Sequence, residues 1–331
     1  MRSMGVSGFA ELGLGSRRIQ RRAGEVRQVS ESVAWIAVDW GTSNLRAWGM
    51  SESGAIVATA SSDRGMGKLQ REEFSGALGE IVEALQVSEP VDVLICGMAG
   101  ARQGWIEAPY LEAPTDLRGL HAGAVHPDAG TDRYTVSILP GVCQRTGGEN
   151  VMRGEETQLL GLASLIPGYS GLVCLPGTHS KWARLDGTRI ESFTTAMTGE
   201  IFEILKTHSV LRHSLGGELD GPTREAGFDA GAADGLARPA DLLGQLFRVR
   251  AAALLSDRDA AWCAGYLSGL LIGTEIAANR DQIGNHPVPL IGSAGLCALY
   301  VRVLEMAGAS GRIVDATEVV LAGLKTARAN A

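Results

Sequence analysis

The sequence predicts an α/β fold made of two copies of one unit. Each copy is a mixed sheet flanked by helices, with a ligand cleft between the copies and a helical insertion in the second. Three observations predict it. Short apolar runs of strand length alternate with amphipathic helical stretches over most of the chain. A strand that ends in a Gly-Thr turn occurs twice, at Gly41-Thr42 and at Gly177-Thr178. A strand that runs into Gly-x-Ala-Gly also occurs twice, at 97–100 and 292–295, in the same order along the chain.

The first copy opens with an apolar strand over 34–39 and the turn Gly41-Thr42-Ser43-Asn44. Strands over 45–50 and 55–60 follow, split by Glu52-Ser53-Gly54. Residues 71–85 have helical spacing, with Phe74, Leu78, Ile81, Val82 and Leu85 on one face. A buried strand over 91–96, a strand over 134–139 and a helix over 155–165 complete the copy. The second repeats the order. Strands over 171–175, 181–185 and 189–194 precede a helix over 197–211. After the insertion come a strand over 288–291, a helix, a strand near 312–314 and a last helix over 317–327. The insertion spans about 214–285. Its first part, 214–239, is rich in Gly, Ala and Asp and reads as loop. Residues 241–256 and 258–278 read as long helices, and the small residues within 266–273 suit close helix packing.

At roughly 100–200 residues per domain, a chain of 331 residues accommodates two domains, expected at 31–165 and 166–331. Hydrophobic residues make up 45% and charged residues 20%, an ordinary globular balance. The net charge of −7 offers no basic footprint, so no nucleic-acid partner is expected. No uninterrupted apolar run reaches the ~18–20 residues of a membrane span, so no membrane partner is expected either. Five cysteines without a CxxC pair read as free thiols of a cytoplasmic protein. Residues 1–30 carry six arginines and no lysine; they read as a poorly ordered extension outside the functional argument. The composition is compatible with a homodimer.

A Gly-Thr turn between strands exposes backbone N–H groups and hydroxyls together, a nest for anions. Two such turns across a cleft would clamp the phosphates of a nucleotide. The candidates are Gly41, Thr42, Ser43 and Asn44 on one side, and Gly177, Thr178, His179 and Ser180 on the other. Asp39 ends the strand before the first turn and is the candidate Mg²⁺ ligand, since magnesium favours one or two carboxylates plus water. No Walker-type GxxxxGK[ST] is present, so a P-loop is not expected.

Four strings make the reading specific. They are Val38-Asp39-Trp40-Gly41-Thr42-Ser43-Asn44-Leu45-Arg46, Gly97-Met98-Ala99-Gly100-Ala101-Arg102-Gln103-Gly104-Trp105, Val151-Met152-Arg153-Gly154-Glu155-Glu156-Thr157-Gln158 and Leu175-Pro176-Gly177-Thr178-His179-Ser180-Lys181-Trp182. From Trp35 onward the chain resembles the 2-dehydro-3-deoxygalactonokinase family, within the actin and sugar-kinase superfamily. The resemblance implies duplicated ribonuclease H-like, actin-like ATPase domains. It also implies ATP- and Mg²⁺-dependent phosphorylation of the 6-hydroxyl of 2-dehydro-3-deoxy-D-galactonate, in galactonate catabolism. Related sugar kinases place a carboxylate base shortly before the second phosphate turn. Glu155 and Glu156 match it, with Glu155 favoured. One departure is Asn150, where the family pattern leads us to expect aspartate.

A 2-keto acid calls for a guanidinium that meets its carboxylate bidentately. Arg102 is the first candidate, with Gln103 and Trp105 as polar contact and apolar wall; Arg64 and Arg153 follow. Gly292, Ser293, Ala294 and Gly295 read as the floor under adenosine. Two alternatives stay open: a kinase of the same fold acting on another sugar or sugar acid, and a non-catalytic sugar-acid sensor. Residue logic does not separate galactonate- from gluconate-derived acids.

Overall fold

The protein is described from a computed structural model covering residues 32–87 and 90–331. The expectation for residues 1–30 falls outside the described residues. In chain order the elements are β1 (Trp35–Trp40), β2 (Leu45–Met50), β3 (Ile56–Ser62), α1 (Phe74–Ala84), β4 (Val91–Gly97), β5 (Tyr110–Glu112), β6 (Thr115–Asp116) and β7 (Tyr134–Ile138). Next come β8 (Gly141–Gln144), β9 (Asn150–Met152), α2 (Glu155–Leu165), β10 (Ser170–Leu175), β11 (Ser180–Asp186), β12 (Arg189–Ala196) and α3 (Thr198–His208). Then follow α4 (Arg224–Ala237), α5 (Leu242–Leu255), α6 (Ala260–Asn279), β13 (Val288–Gly292), α7 (Ala294–Met306), β14 (Gly311–Asp315) and α8 (Ala316–Ala329).

The repeat expected from the sequence is a repeat of topology. The first sheet runs β3-β2-β1-β4-β7 and the second β14-β13-β10-β11-β12-β6. In both, the opening strand pairs antiparallel with the strand after its turn and parallel with the strand that ends in glycine. β1 is apolar on both faces and buried throughout except at Asp39, as expected of a central strand covered on both sides. The sheets are not wholly separate in sequence. β6, from the first half, adds to the edge of the second sheet beside β12. α8, from the end of the chain, buries Val319, Val320, Leu321 and Leu324 in the core that holds β1 and β4.

Two parts differ from expectation. The first is α4, where the sequence suggested loop over 214–239. Gly and Asp are poor helix formers in isolation, but here the glycines form the seam against α6. A Cβ at Gly227, Gly231 or Gly235 would lie 2.0–2.5 Å from carbonyl oxygens of α6, and one at Gly265 or Gly269 would lie 2.0 Å from those of α4. The helices touch backbone to backbone, so tertiary contact replaces missing propensity. The second is a small sheet, β5-β8-β9, in the stretch read as connection. α6 also has the length and hydropathy of a membrane span, yet most of it is buried among its neighbours as a core helix. Outside the seam, α5 leaves Leu243 85% and Leu255 84% exposed.

The seam makes a paired prediction for thermal unfolding. Gly269→Ala should destabilise by at least about 1–3 kcal/mol, because the methyl meets backbone that cannot rotate away. Gly244→Ala, on the exposed side of α5 with nothing within 4 Å, should raise stability by up to about 1 kcal/mol. A neutral Gly269→Ala would mean the seam is looser than described.

Candidate functional site

The first Gly-Thr turn closes with the Gly41 N–H donating to the Asn44 carbonyl at 2.8 Å. It is held from behind by the strap 64–67. Met66 N–H donates to the Gly41 carbonyl (3.0 Å) and Gly67 N–H to that of Thr42 (2.9 Å). A Cβ on Gly65 would lie 2.2 Å from the Ser43 backbone, so only glycine lets the strap approach this closely. Trp40 Nε1 donates to the Arg64 carbonyl at 3.1 Å, and its ring packs on Phe74 and Trp105. Asp39 Oδ2 accepts from Arg46 Nη2 at 2.5 Å, and Arg46 Nη1 reaches Thr317 Oγ1 at the start of α8.

The second turn is braced in a corresponding way by the start of α3. Glu200 N–H donates to the Thr178 carbonyl at 3.1 Å, and Gly199 presses on Gly177. Beneath it lies a buried polar cluster. Ser180 Oγ accepts from Gly177 N–H at 3.4 Å and pairs with the Tyr300 hydroxyl at 2.9 Å. That hydroxyl donates to Glu275 Oε2 at 2.7 Å, and Trp182 Nε1 to Glu275 Oε1 at 2.7 Å. Thr198 Oγ1 completes the shell. Burial pushes the Glu275 carboxyl up, and these donors pull it back.

Two adjoining cavities occupy the region between the turns. The smaller, about 400 Å³, is lined by Asp39, Gly41, Thr42, Gly97, Gly177, Thr178 and Ile291 among others, so both turns face one chamber. The larger, about 850 Å³, is lined by Arg102, Gln103, Gln144, Glu149, Asn150, Lys181 and Thr195 among others. Met98, Arg153, Glu155 and His179 line both. Glycine again sets the geometry. Gly97 has φ +93° with its Cβ position 2.6 Å from the Trp40 carbonyl oxygen, and Gly154 has φ +105° against the Gly97 Cα. These contacts bring the first turn of α2, and with it Glu155, to the wall between the chambers.

The two adjacent glutamates fare differently. Glu155 Oε2 accepts from Arg153 N–H at 3.0 Å, and Oε1 lies 3.6 Å from Lys181 Nζ. Glu156 is fully buried and lines neither chamber. Its carboxylate accepts from Gly154 N–H (2.7 Å) and from the Thr157 hydroxyl (3.1 Å). Burial, then the nearby Glu155 charge, push the Glu156 carboxyl up to about 7.

The remaining candidates divide. Arg153 is 9% exposed, stacks on Tyr110 at 4.4 Å and donates to the Ala108 carbonyl, while Nε and Nη1 have no protein partner. Arg102 faces the larger chamber but is largely exposed and lies 3.4 Å from Glu107. Arg64 lines neither chamber; its guanidinium pairs with Glu80 at 2.7 Å. Trp105 is core, packed on Phe74 and Trp40 behind the first turn. Ser43 and Asn44 are exposed at the tip of their turn, and Ser180 is buried beneath its own. His179 pairs through Nε2 with Glu200. Ser293, Ala294 and Gly295 form an exposed helix start, and Gly292 lies beside Pro176 at the root of the second turn. Lys181, Arg46 and Glu200 were missed as site residues. Two of them stood inside the quoted strings, but strand residues beside a turn carry no signal of where they point. Among the described residues no three His, Cys, Asp or Glu side chains gather as a metal cage. A single carboxylate such as Asp39 still suits magnesium, which keeps most of its waters.

The buried Glu156 makes stability depend on pH. The folded state holds its proton more tightly than the unfolded chain. Stability should therefore fall as pH rises from about 4.5 to about 7 and stay reduced above. Glu156→Gln should relieve this, raising stability at pH 8 by on the order of 1–3 kcal/mol, with little gain at pH 4. Equal effects at both pH values in urea melts would contradict a titrating carboxyl.

Residues 39–327 match the family described as 2-keto-3-deoxy-galactonokinase. A curated relative from Rhizobium meliloti (strain 1021), "Probable 2-dehydro-3-deoxygalactonokinase DgoK1", is 43% identical over 88% of this chain and 96% of its own. The 2-dehydro-3-deoxygalactonokinase of Escherichia coli (strain K12) is 35% identical over the same shares. A crystal structure from Sinorhizobium meliloti, described as that of "a putative 2-dehydro-3-deoxygalactonokinase protein", superposes with a TM-score of 0.84 at 42% identity. It covers 89% of this chain and 98% of that one. The match spans both Gly-Thr turns, both chambers and the insertion, and the chain belongs to the 2-keto-3-deoxy-galactonokinase family of sugar-acid kinases.

Proposed function

We propose that this kinase moves the γ-phosphate of ATP to the 6-hydroxyl of 2-dehydro-3-deoxy-D-galactonate in the cytoplasm, giving the 6-phosphate and ADP. One observation carries the reading: Glu155 stands on the wall shared by two chambers. The smaller suits phosphates, because two glycine turns offer backbone donors there. The larger suits a polyhydroxylated acid, because Arg102, Gln103, Gln144, Asn150 and Arg153 line it. A hydroxyl at the junction lies in reach of both a phosphate and a carboxylate base, which is the arrangement in-line transfer needs.

In this reading Glu155 takes the hydroxyl proton. Glu156 is too enclosed to do so, and it supports the turn that presents Glu155. The two turns hold the β- and γ-phosphates through Gly41, Thr42, Gly177 and Thr178, with His179 at the shared wall. Asp39 would hold Mg²⁺, which neutralises phosphate charge when bound. The exposed helix start at Ser293–Gly295, next to the second turn, supports an adenosine shelf there. Asn150 brings an amide to the larger chamber where a carboxylate was expected. An amide can donate to a sugar oxygen as well as accept, so it serves binding without adding charge.

Asp39→Asn should fold normally and lose Mg²⁺-dependent turnover by several orders of magnitude in a coupled ADP-release assay. Near-normal turnover would remove Asp39 from the metal site. Arg102→Ala should lower kcat/KM for the keto acid by roughly 10- to 150-fold, the worth of a charge-assisted contact of about 1.5–3 kcal/mol. The KM for ATP should hardly change. Unchanged efficiency on a panel of 2-keto-3-deoxy acids would pass the carboxylate to Arg153, which lines both chambers.

A further inference from the structure

We infer that Lys181 is a positioning residue for the proton-accepting carboxylate, pinning Glu155 from the opposite sheet at the wall where the hydroxyl arrives. The inference rests on Glu155 being the base. Lys181 is the second residue of β11, paired with Leu175 on one side and Thr195 on the other, so its backbone is fixed in mid-sheet. Its side chain is only 6% exposed. A buried ammonium needs a counter-charge and acceptors. Nζ has Glu155 Oε1 at 3.6 Å and the His179 carbonyl at 3.4 Å.

Glu155 is thereby held at both oxygens from different sides. Oε2 takes the Arg153 N–H from the residues just before its own helix, and Oε1 faces Lys181 from the second sheet. The arrangement limits the rotamers of a long side chain that is otherwise open to two chambers. During transfer the O–H bond of the acceptor breaks and its proton passes to Glu155. The new O–P bond forms as the Pγ–O bond breaks, and that electron pair leaves on ADP. Lys181 keeps its own proton throughout.

Other charges also act on Glu155. Glu156 lies behind it on α2, Arg153 and His179 share its wall, Asp39 stands in the smaller chamber, and Glu149 and Arg102 in the larger. None of these changes in a Lys181 variant, so a shift on replacing Lys181 reports Lys181.

The test is the pH profile of kcat/KM for the keto acid in the full-length enzyme, for Lys181→Met, Lys181→Gln and Lys181→Arg, with Glu155→Gln alongside. Two neutral replacements are used so that misfolding of one leaves the comparison intact. Removing the positive charge should move the acid limb of the profile upward. It should also lower kcat roughly tenfold or more, with the KM for ATP unchanged. Lys181→Arg should return the limb towards its original position, which a packing role alone would not do. An unmoved limb in folded Lys181→Met and Lys181→Gln, with Glu155→Gln inactive, overturns the inference and leaves the base assignment standing. An active Glu155→Gln overturns the base assignment, and this inference with it.

Discussion

The placement of Glu155 depends on a helix pair whose backbones meet directly at two glycines. A Cβ at Gly161 of α2 would lie 1.8 Å from the Val319 carbonyl oxygen, and one at Gly323 of α8 would lie 1.9 Å from that of Thr157. The helices therefore meet at backbone distance. α8 is seated by its apolar face on β1 and β4, so it fixes the height of α2 above the first sheet. At the other end of α2, the contact of Gly154 with Gly97 fixes its axial position. Glu155 has little freedom left to choose where it stands. The last helix of the chain thus sets the position of a residue near its middle.

The two Gly-Thr turns are related by topology, but what lies beneath them differs. The first is backed by a strap of its own half, through two main-chain bonds and the Trp40 indole N–H. The second is backed by side chains: Ser180, Tyr300, Trp182 and Thr198 converge on Glu275, which belongs to the inserted helix α6. A buried carboxyl is costly unless its oxygens are satisfied, and here four donors share that task directly or through one hydroxyl. The insertion is therefore tied to the turn even though it lines neither chamber.

Much of the fold was legible because the two periodicities are clean where burial is one-sided or complete. The strand 45–50 falls where an apolar run between two turns puts it, α1 falls where the spacing of Phe74, Leu78, Ile81 and Val82 puts it, and the paired turns announce the duplication. α4 was not legible, because a Gly- and Ala-rich helix earns its stability only against α6. The strands β5, β8 and β9 were not, because three- or four-residue strands owe their existence to pairing partners far along the chain. At the site, glycine turns and the Glu pair could be read from composition and order. The choice between Glu155 and Glu156 could not, since it depends on which of two neighbours a glycine at positive φ turns outward. Lys181 was hidden for a related reason. In a central strand a lysine reads as an exception to be tolerated, and only the structure shows that it points at a carboxylate.

The tie between Glu275 and the second turn bears on how variation in this enzyme should be interpreted. α6 looks like scaffold: apolar, enclosed and remote from the chambers. Yet a change at Glu275, or at Tyr300 above it, would loosen Ser180 and with it the backbone donors of Gly177. In a genetic screen scored by growth on the sugar acid, such changes would cluster with active-site alleles rather than with ordinary stability alleles. The boundary of the functional site, drawn by phenotype, would then run through the middle of the helical insertion.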